Sequence, residues 1–495
     1  MSAEMSAEPS RDRQRRLIQM AFGRSKLAVE DLWVRYFSVG GTAGPAELEA
    51  FLTGESDLEH EQRDLVASVV NERLDELNWR RRAPYSRDVR EASPHVGPLA
   101  ALIELLRGGY MAPPDLLPHA LDRAAEALSV RVVLYLVDYD QTSLVPFPGA
   151  HGGRRSPLNI EGTLPGRAFR SLQTQVSVNE GEGRLWIPVV DGVERMGVLD
   201  VMAANPEDVQ DPMLREQCWW LAHLAGHLVA SAGELGDAVD TVRRSRPRSL
   251  AAELIWQLLP PLTAATDKVV VSGRIEPAND VGGDVFDYSV TDRDLHLAII
   301  DATGHDLSAG LVSATALAAY RNARREGRSL FDQAQTVDEA VTAQFGRETF
   351  ATGVMARLDL VTGRFRYVNA GHPPPLLLRD GRVVKSLEHG RRPLFGLAPT
   401  QVDVGEEQLE RGDSVVMYTD GITEARDEDG EVFGLAGLID FLVREMGSEA
   451  PLPEVVRSLG HAILRRQGGA LQDDATLLVA QWTLDEALSL APPPQ

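Results

Sequence analysis

The sequence holds a single cysteine, Cys218, in 495 residues. One thiol excludes an internal disulfide framework and fits a reducing compartment. Cys218 lies in REQCWWLAHLAGHLVA, whose apolar residues recur at helical spacing, so it reads as a packed core thiol rather than a nucleophile. Long apolar runs are missing too. No stretch approaches the roughly 18 uninterrupted apolar residues of a membrane helix. The start, MSAEMSAEPSRDRQRR, has no apolar core behind its charges and is unlike a secretory signal. The expectation is a cytoplasmic protein with no membrane contact. Positive charge is also short: 50 Lys and Arg against 73 Asp and Glu leave a net charge of -23. Such a field repels nucleic acid and anionic membranes, so nucleic acid is not an expected partner.

What is present is the composition of a globular chain, 43% hydrophobic and 25% charged. The length exceeds one hydrophobic core and suggests roughly three domains. Residues 1–12 read as disordered. Residues 13–90 read as a helical region, with apolar residues three and four apart in RLIQMAFGRSKLAVEDLWVRYFSV and LVASVVNERLDEL, then the basic linker NWRRRAPYSRDV. Residues 99–232 form a second unit: the helical PDLLPHALDRAAEALSV, the strand-like RVVLYLVDYD, and an antiparallel hairpin from RLWIPVVDG and RMGVLDVMA, closed by the Cys218 helix. Residues 233–262 read as a connecting helix that stops at Pro260 and Pro261 and could dimerise through its apolar stripe. Residues 263–484 form the third unit and 485–495 a tail.

The third unit carries the chemistry. IEPANDVGGDVFDYSV places Asp280, Asp284 and Asp287 around a Gly-Gly pair in a strand-like segment. LHLAIIDATGHDLSAGL sets Asp301 at a strand end, DSVVMYTDGITEARD does the same for Asp420, and LQDDATLLVAQW puts Asp473 and Asp474 just before a buried strand. One Asp beside a strand is an ordinary turn residue. Four such clusters without matching Lys or Arg would repel strongly in a dry site, and divalent cations relieve that repulsion. Oxygen donors without thiolate suit Mg²⁺ or Mn²⁺ rather than structural zinc. Two such ions sharing a carboxylate activate water for in-line displacement at phosphorus.

The ordered motifs DVGGDVFDY, DATGHDLSAGL, FATGVMARLDLVTGRFRYVNAGHPPPLLL, GDSVVMYTDGITEA and DDATLLV, over about Ala251 to Trp482, resemble the SpoIIE-like branch of the PPM family. These are metal-dependent serine/threonine phosphatases related to type 2C. The resemblance implies an α+β fold: two antiparallel sheets packed as an αββα sandwich flanked by helices, with two Mn²⁺ or Mg²⁺ ions at one end. It assigns Asp284 to one metal, Asp301 to both, Asp420 and Asp473 to the other, and gives the backbone carbonyl of Ala302 to a metal. Asp287 and Asp474 become outer partners or ligands through water, and Asp474 could exchange roles with Asp473. The second unit resembles a GAF domain, an α/β/α sensor and dimerisation fold whose ligand is not legible; His119, His223 and His227 read as packing or surface residues.

Two positions depart from the family pattern. Ala302 and Asp306 stand where type 2C relatives usually have Gly; Ala302 serves if its φ is not positive. In NAGHPPP, Asn369 and His372 read as hydrogen-bonding a Pro-fixed turn, His305 is left open as an acid or ligand, and Arg274 is a weak phosphate anchor. By resemblance the substrate is a phosphoserine or phosphothreonine, on a STAS-domain anti-anti-sigma protein, with an upstream signal acting through the GAF-like unit. The alternative is a pseudophosphatase, a scaffold that holds a phosphorylated partner without turning it over.

Overall fold

A computed structural model describes residues 8–76, 99–149, 155–179, 182–203, 205–276, 280, 282–304, 306–346, 348–397, 403–448, 450–469 and 471–483. The basic linker, the C-terminal tail and His305 lie outside them. Two compact units divide between Ile103 and Glu104. Among the described residues up to Glu76 the first holds four helices: α1 (Glu8–Ser25), α2 (Val29–Ser38), α3 (Pro45–Thr53) and α4 (His60–Glu76). α1 therefore starts inside the segment read as disordered. The helices close over Ile18, Leu32, Tyr36, Val66, Val70 and Leu74, apolar positions of the two segments with helical spacing, and over Leu48 and Phe51 of α3. No helix among the described residues is long and apolar enough to cross a membrane.

The second unit holds two modules that the sequence treats as separate domains. Its N-terminal module is one six-stranded antiparallel sheet in the order β3-β2-β1-β6-β5-β4. The strands are β1 (Val130–Val137), β2 (Ser143–Phe147), β3 (Leu158–Asn159), β4 (Gln175–Asn179), β5 (Glu182–Asp191) and β6 (Glu194–Ala203). Helices α5 (Leu117–Glu126), α6 (Leu164–Ser171) and α7 (Pro212–Gly233) pack on it. α7 buries Cys218, Leu221, Ala222, Ala225 and Val229, spaced three and four apart. Cys218 is fully buried, and desolvation pushes its thiol up to about 12, so it is inert. His223 stacks on Trp219 and its Nδ1 lies 3.0 Å from the Trp219 carbonyl, while His227 is exposed beside Asp191.

The connecting segment is not one helix. It breaks into α8 (Ala238–Arg243) and α9 (Leu250–Leu258). Pro247 disfavours helical geometry at the residue before it, and Ser249 starts α9 by accepting the Ala252 N–H at 3.1 Å.

The C-terminal module is a sandwich of two sheets. One runs β15-β12-β11-β10-β9 with β16 beside β12, the other β14-β13-β17-β18-β8-β7. The members are β7 (Thr263–Ala265), β8 (Val269–Glu276), β9 (Asp284–Val290), β10 (Asp294–Ala302), β11 (Ala351–Asp359), β12 (Arg364–Ala370), β13 (Leu376–Arg379), β14 (Arg382–Ser386), β15 (Arg391–Arg392), β16 (Gly405–Gln408), β17 (Ser414–Tyr418) and β18 (Ala475–Trp482). Pairing is antiparallel except for the two-residue β12–β15 contact. Alternate residues explain the layers. Val269, Val271, Val415, Met417, Leu478 and Ala480 enter the core shared with β9 and β10. Their neighbours Val270, Val416, Tyr418, Leu477 and Val479 pack outward against α12 (Gly434–Met446) and α13 (Leu452–Arg466). On the opposite surface α10 (Leu307–Arg325) and α11 (Leu330–Phe345) cover the first sheet. The result is the expected mixture of antiparallel sheets flanked by helices.

Gly226 tests the packing of α7 on β5. A Cβ there would stand 2.1 Å from the Val190 carbonyl oxygen, a backbone atom that cannot move aside cheaply. Alanine gains up to about 1 kcal/mol of helix propensity, yet overpacking typically costs about 1–3 kcal/mol. Gly226→Ala should therefore lower the urea-unfolding free energy, opposite in sign to the propensity expectation.

Candidate metal centre

Strand register brings the acidic residues to one end of the sandwich. In the first sheet Asp284, the first residue of β9, pairs with Asp301 near the end of β10, so the two carboxylates share a face. In the second sheet Asp420 follows β17 and Asp473 and Asp474 precede β18; the Thr419 N–H donates to the Thr476 carbonyl at 3.0 Å and holds these ends side by side. Asp474 ties one sheet to the other. Its Oδ2 accepts backbone N–H groups of Gly282 at 2.8 Å, Gly283 at 2.7 Å and Asp284 at 3.3 Å. Thr419 adds a second tie: its Oγ1 accepts the Thr476 N–H at 2.8 Å and donates to Asp284 Oδ2 at 2.8 Å.

The glycines of these motifs are required by close approach. A Cβ on Gly283 would meet the carbonyl oxygens of Ala302 at 2.5 Å and Gly304 at 2.6 Å, and one on Gly421 would meet the Asp474 carbonyl at 2.0 Å. The Gly283 carbonyl accepts from Ala302 N–H at 3.2 Å and from the Ser313 hydroxyl. Ala302 closes β10 and is not among the positive-φ residues, so alanine is unstrained there. Asp306 caps α10 by accepting the N–H groups of Ser308 at 2.9 Å and Ala309 at 3.1 Å. Both departures from the family pattern thus have local structural explanations.

The electrostatics are those of crowded like charges. Burial, then the neighbouring Asp301 and Asp474, hold the Asp284 carboxyl well above the usual range. Burial, then Asp420, Asp473 and Asp474, raise Asp301 from 3.8 to about 7. Asp420 is raised by burial and by Asp473. None of these four, nor Asp474, has a Lys or Arg partner among the described residues. Asp301 is half-buried and Asp420 and Asp473 are exposed, so these three face outward while Asp284 and Asp474 sit behind them. The all-oxygen, cation-free donor set fits Mg²⁺ or Mn²⁺. Among the described residues no three acidic, histidine or cysteine side chains are already closed to ligand spacing.

Three sequence assignments need correction. Asp287 sits three residues beyond Asp284 and points to the other side of β9, where Arg321 Nη2 at 2.6 Å and Arg324 Nη1 at 2.6 Å hold its carboxylate. It belongs to α10 packing, not to the acidic end. Arg274 is no phosphate anchor: it is buried, pairs with Glu276, and donates to the Asp140 carbonyl at 3.0 Å. Asp473 and Asp474 are not interchangeable: Asp474 is buried with its Oδ2 held by three backbone N–H groups, while Asp473 is exposed and its Oδ1 accepts the Asp474 N–H at 2.9 Å. Asp280 is exposed in its turn. His372 holds its turn through Asn369 as expected, but its Nδ1 also lies 2.7 Å from Thr352 Oγ1, a contact that neither residue's local sequence signals. Burial pushes His372 down to about 3, so it is a neutral imidazole. The sequence reading also passed over Thr419, although a hydroxyl beside Asp420 in YTDG was visible.

Two antiparallel sheets with carboxylates gathered at one end are the arrangement that the resemblance of the motifs implies. Residues 291–483 match the family model described as Stage II sporulation protein E (SpoIIE), and this segment is a SpoIIE-family domain. The chain is 26% identical over 234 residues to phosphoserine phosphatase RsbU of Bacillus subtilis, covering 46% of this chain and 68% of RsbU. It is 22% identical over 282 residues to protein IcfG of Synechocystis sp., covering 50% of this chain and 42% of that protein. Among solved structures, the RsbU and RsbW domains of a Mycobacterium tuberculosis protein align with 27% identity and a TM-score of 0.40, over 44% of this chain and 62% of that one.

The carboxylate crowding predicts a pH response in chelator. Asp301 titrates near 7 when folded and near 4 when unfolded, so between these values the folded state holds the extra proton. Stability then falls as pH rises through that window. Asp301→Asn should stabilise the metal-free protein at pH 8 by roughly 2–4 kcal/mol, with the gain vanishing near pH 4. Urea unfolding across pH measures it.

Proposed function

We propose that this protein is a Mn²⁺- or Mg²⁺-dependent phosphatase that removes phosphate from serine or threonine of a partner protein. The observation that carries this reading is the gathering of Asp284, Asp301, Asp420 and Asp473 at one end of a SpoIIE-family sandwich with no cationic side chain among them. Asp284 and Asp301 would hold one ion, with the Ala302 carbonyl, and Asp301, Asp420 and Asp473 the other. When bound, such ions lower the pKa of water and clamp the oxygens of a phosphoryl group. Asp474 and Thr419 orient the set: the first fixes the Gly282–Asp284 backbone, the second fixes the Asp284 carboxylate. The openness of Asp301, Asp420 and Asp473 supports a phosphorylated side chain reaching the ions from outside. RsbU, named a phosphoserine phosphatase, supports a phosphoserine substrate. A STAS-domain anti-anti-sigma protein is the partner this reading favours.

Hydrolysis of p-nitrophenyl phosphate with Mn²⁺ tests it. Turnover should be abolished by chelator and fall at least about 100-fold in Asp301→Ala and Asp420→Ala. Full turnover in either variant would sink the site. Metal binding without turnover of any phosphorylated substrate would instead favour the scaffold reading.

Regulation by the N-terminal module, read as a GAF-like sensor, is supported by a buried polar contact with α13. Arg195 of β6 donates to Glu454 at 2.9 Å and to the Pro453 carbonyl at 2.9 Å. Arg457 reaches Glu161 at 2.6 Å and the Gln141 carbonyl at 3.2 Å, and His461 Nε2 lies 2.8 Å from the Asp140 carbonyl. α13 leads directly to Asp473 and Asp474. Arg195→Met removes the Arg195–Glu454 pair, one of these inter-module contacts, while Glu454 keeps Arg457, so no buried charge is orphaned. In calorimetry, Mn²⁺ should raise the melting of both modules together in the wild type; the variant should show a separate sensor transition that ignores Mn²⁺. One Mn²⁺-responsive transition in both proteins would mean the coupling runs elsewhere.

A further inference from the structure

The two ends of β18 lie in different surroundings. Asp473 and Asp474 precede the strand at the acidic end, whereas Gln481 and Thr483 stand at its other end, roughly 25–30 Å away by strand rise. Leu477 and Val479 pack outward with α12 and α13, and the two-residue period carries Gln481 and Thr483 to that same side. There the apolar side chains give way to an amide and a hydroxyl. Beyond the helices a cleft of about 890 Å³ opens, with Val270, Leu452 and Thr483 as buried lining and Arg167 and Arg170 of α6 contributed by the N-terminal module. That is the size of a small-molecule site.

The lining offers donors without acceptors. Arg167 and Arg170 are three residues apart and share a face of α6. The Arg167 guanidinium has no partner among the described residues. Arg170 reaches Glu161 Oε2 at 3.3 Å, and its Nε is buried without a hydrogen bond. Glu161 is itself held at 2.6 Å by Arg457. Thr483 is 3% exposed, and its hydroxyl has no partner among the described residues, an arrangement that costs stability while it stays unpaired. Glu454 is the one carboxylate among the described lining residues, and its oxygens are already taken. Oε2 accepts from Arg195 Nη1 at 2.9 Å and Arg457 Nε at 2.8 Å, and Oε1 from Arg457 Nη2 at 2.7 Å. In a chain of net charge -23 the cleft is thus a local excess of guanidinium.

Unpaired cations beside an unpaired buried donor call for an acceptor-rich anion. We propose that this cleft binds a phosphate-bearing small molecule, with phosphate on Arg167 and Arg170 and a further oxygen on the Thr483 hydroxyl. Phosphate suits the set better than carboxylate, since it presents three strong acceptor oxygens and pairs with guanidinium through two parallel hydrogen bonds. Both modules contribute donors, so an occupant ties α6 to the end of β18. The site stands at the opposite end of β18 from the acidic centre and does not depend on the metal reading.

The test is titration calorimetry of the full chain with inorganic pyrophosphate. The protein is first freed of divalent metal and of chelator, so that no cation at the acidic end can hold the anion. Wild type should bind at millimolar concentration or below, and Arg167→Ser, which breaks no side-chain contact of the free protein, should weaken binding by about 10-fold or more. Thr483→Val, which keeps the shape and removes the hydroxyl, should also weaken binding, yet its urea stability without pyrophosphate should equal or exceed that of wild type because an unpaired buried donor is gone. A hydroxyl with a purely structural role would instead lose stability and leave binding alone. Wild-type protein that binds no pyrophosphate at millimolar concentration would overturn the site, and so would binding undiminished in the Arg167→Ser, Arg170→Gln double variant. Citrate binding more tightly than pyrophosphate would overturn the assignment to phosphate.

Discussion

Mutual repulsion of carboxylates at one end of the sandwich is the constraint to which the surrounding structure answers. Strand pairing forces Asp284 against Asp301, and the two turns of the second sheet add Asp420, Asp473 and Asp474. Left to themselves these groups would splay apart or take up protons. The two cores prevent the first, because β8, β9, β10 and β18 are packed on both faces and cannot yield at their ends without opening the sandwich. Backbone donors and hydroxyls are spent on the inner pair, three N–H groups on Asp474 and the Thr419 hydroxyl on Asp284. Asp301, Asp420 and Asp473 are the more accessible members of the set, although Asp473 Oδ1 accepts the Asp474 N–H at 2.9 Å.

Other buried acids in this unit are treated differently, and the contrast assigns meaning to the cluster. Asp287 is held by Arg321 and Arg324, Asp338 by Arg392, Asp413 by Arg379 through both oxygens, and Glu454 by Arg195 and Arg457. Arginine is thus supplied to each of these four, whereas buried Asp138 is held by the Thr142 and Ser143 N–H groups and the Thr142 hydroxyl. Asp284 and Asp287 are three residues apart on one strand, and the pleat alone sends one to the acidic end and the other to two guanidiniums.

That pair also marks what could be read from the chain. The strand-like apolar runs VVMY and LHLAII and the acid beside each strand end were legible, because both are local. Which of Asp473 and Asp474 is open was not, because the answer is a contact with the Gly282 backbone 192 residues away. The fate of Asp287 depended on arginines 34 and 37 residues on, which helical periodicity places on a surface without saying what they meet. The connecting helix failed for the opposite reason: apolar spacing across 233–262 was persuasive, and Pro247 with Ser249, visible in the sequence, outweighed it. No local signal announces the module contact, since Arg195 and Glu454 are 259 residues apart.

The same helix, α13, serves both the acidic end and the module contact, and its spacing shows how. Leu452, Val456, Leu459 and Ile463 enter the outer core of the second sheet, while Glu454, Arg457 and His461 turn toward the N-terminal module. Both sets recur at three and four, so one rigid element carries two faces. Its apolar face slides only with the sheet, whereas its polar face is held by a buried ion pair that is either made or broken. A displacement entered at Glu454 would reach the chain before Asp473 as motion of a whole helix, not as bending within it. A signal in the N-terminal module can shift Asp473 only by as much as it changes the Arg195, Glu161 and Asp140 contacts, since an effector moves an equilibrium by its differential interaction and no more. Those contacts are where the proposed regulation of this acidic centre has to be built.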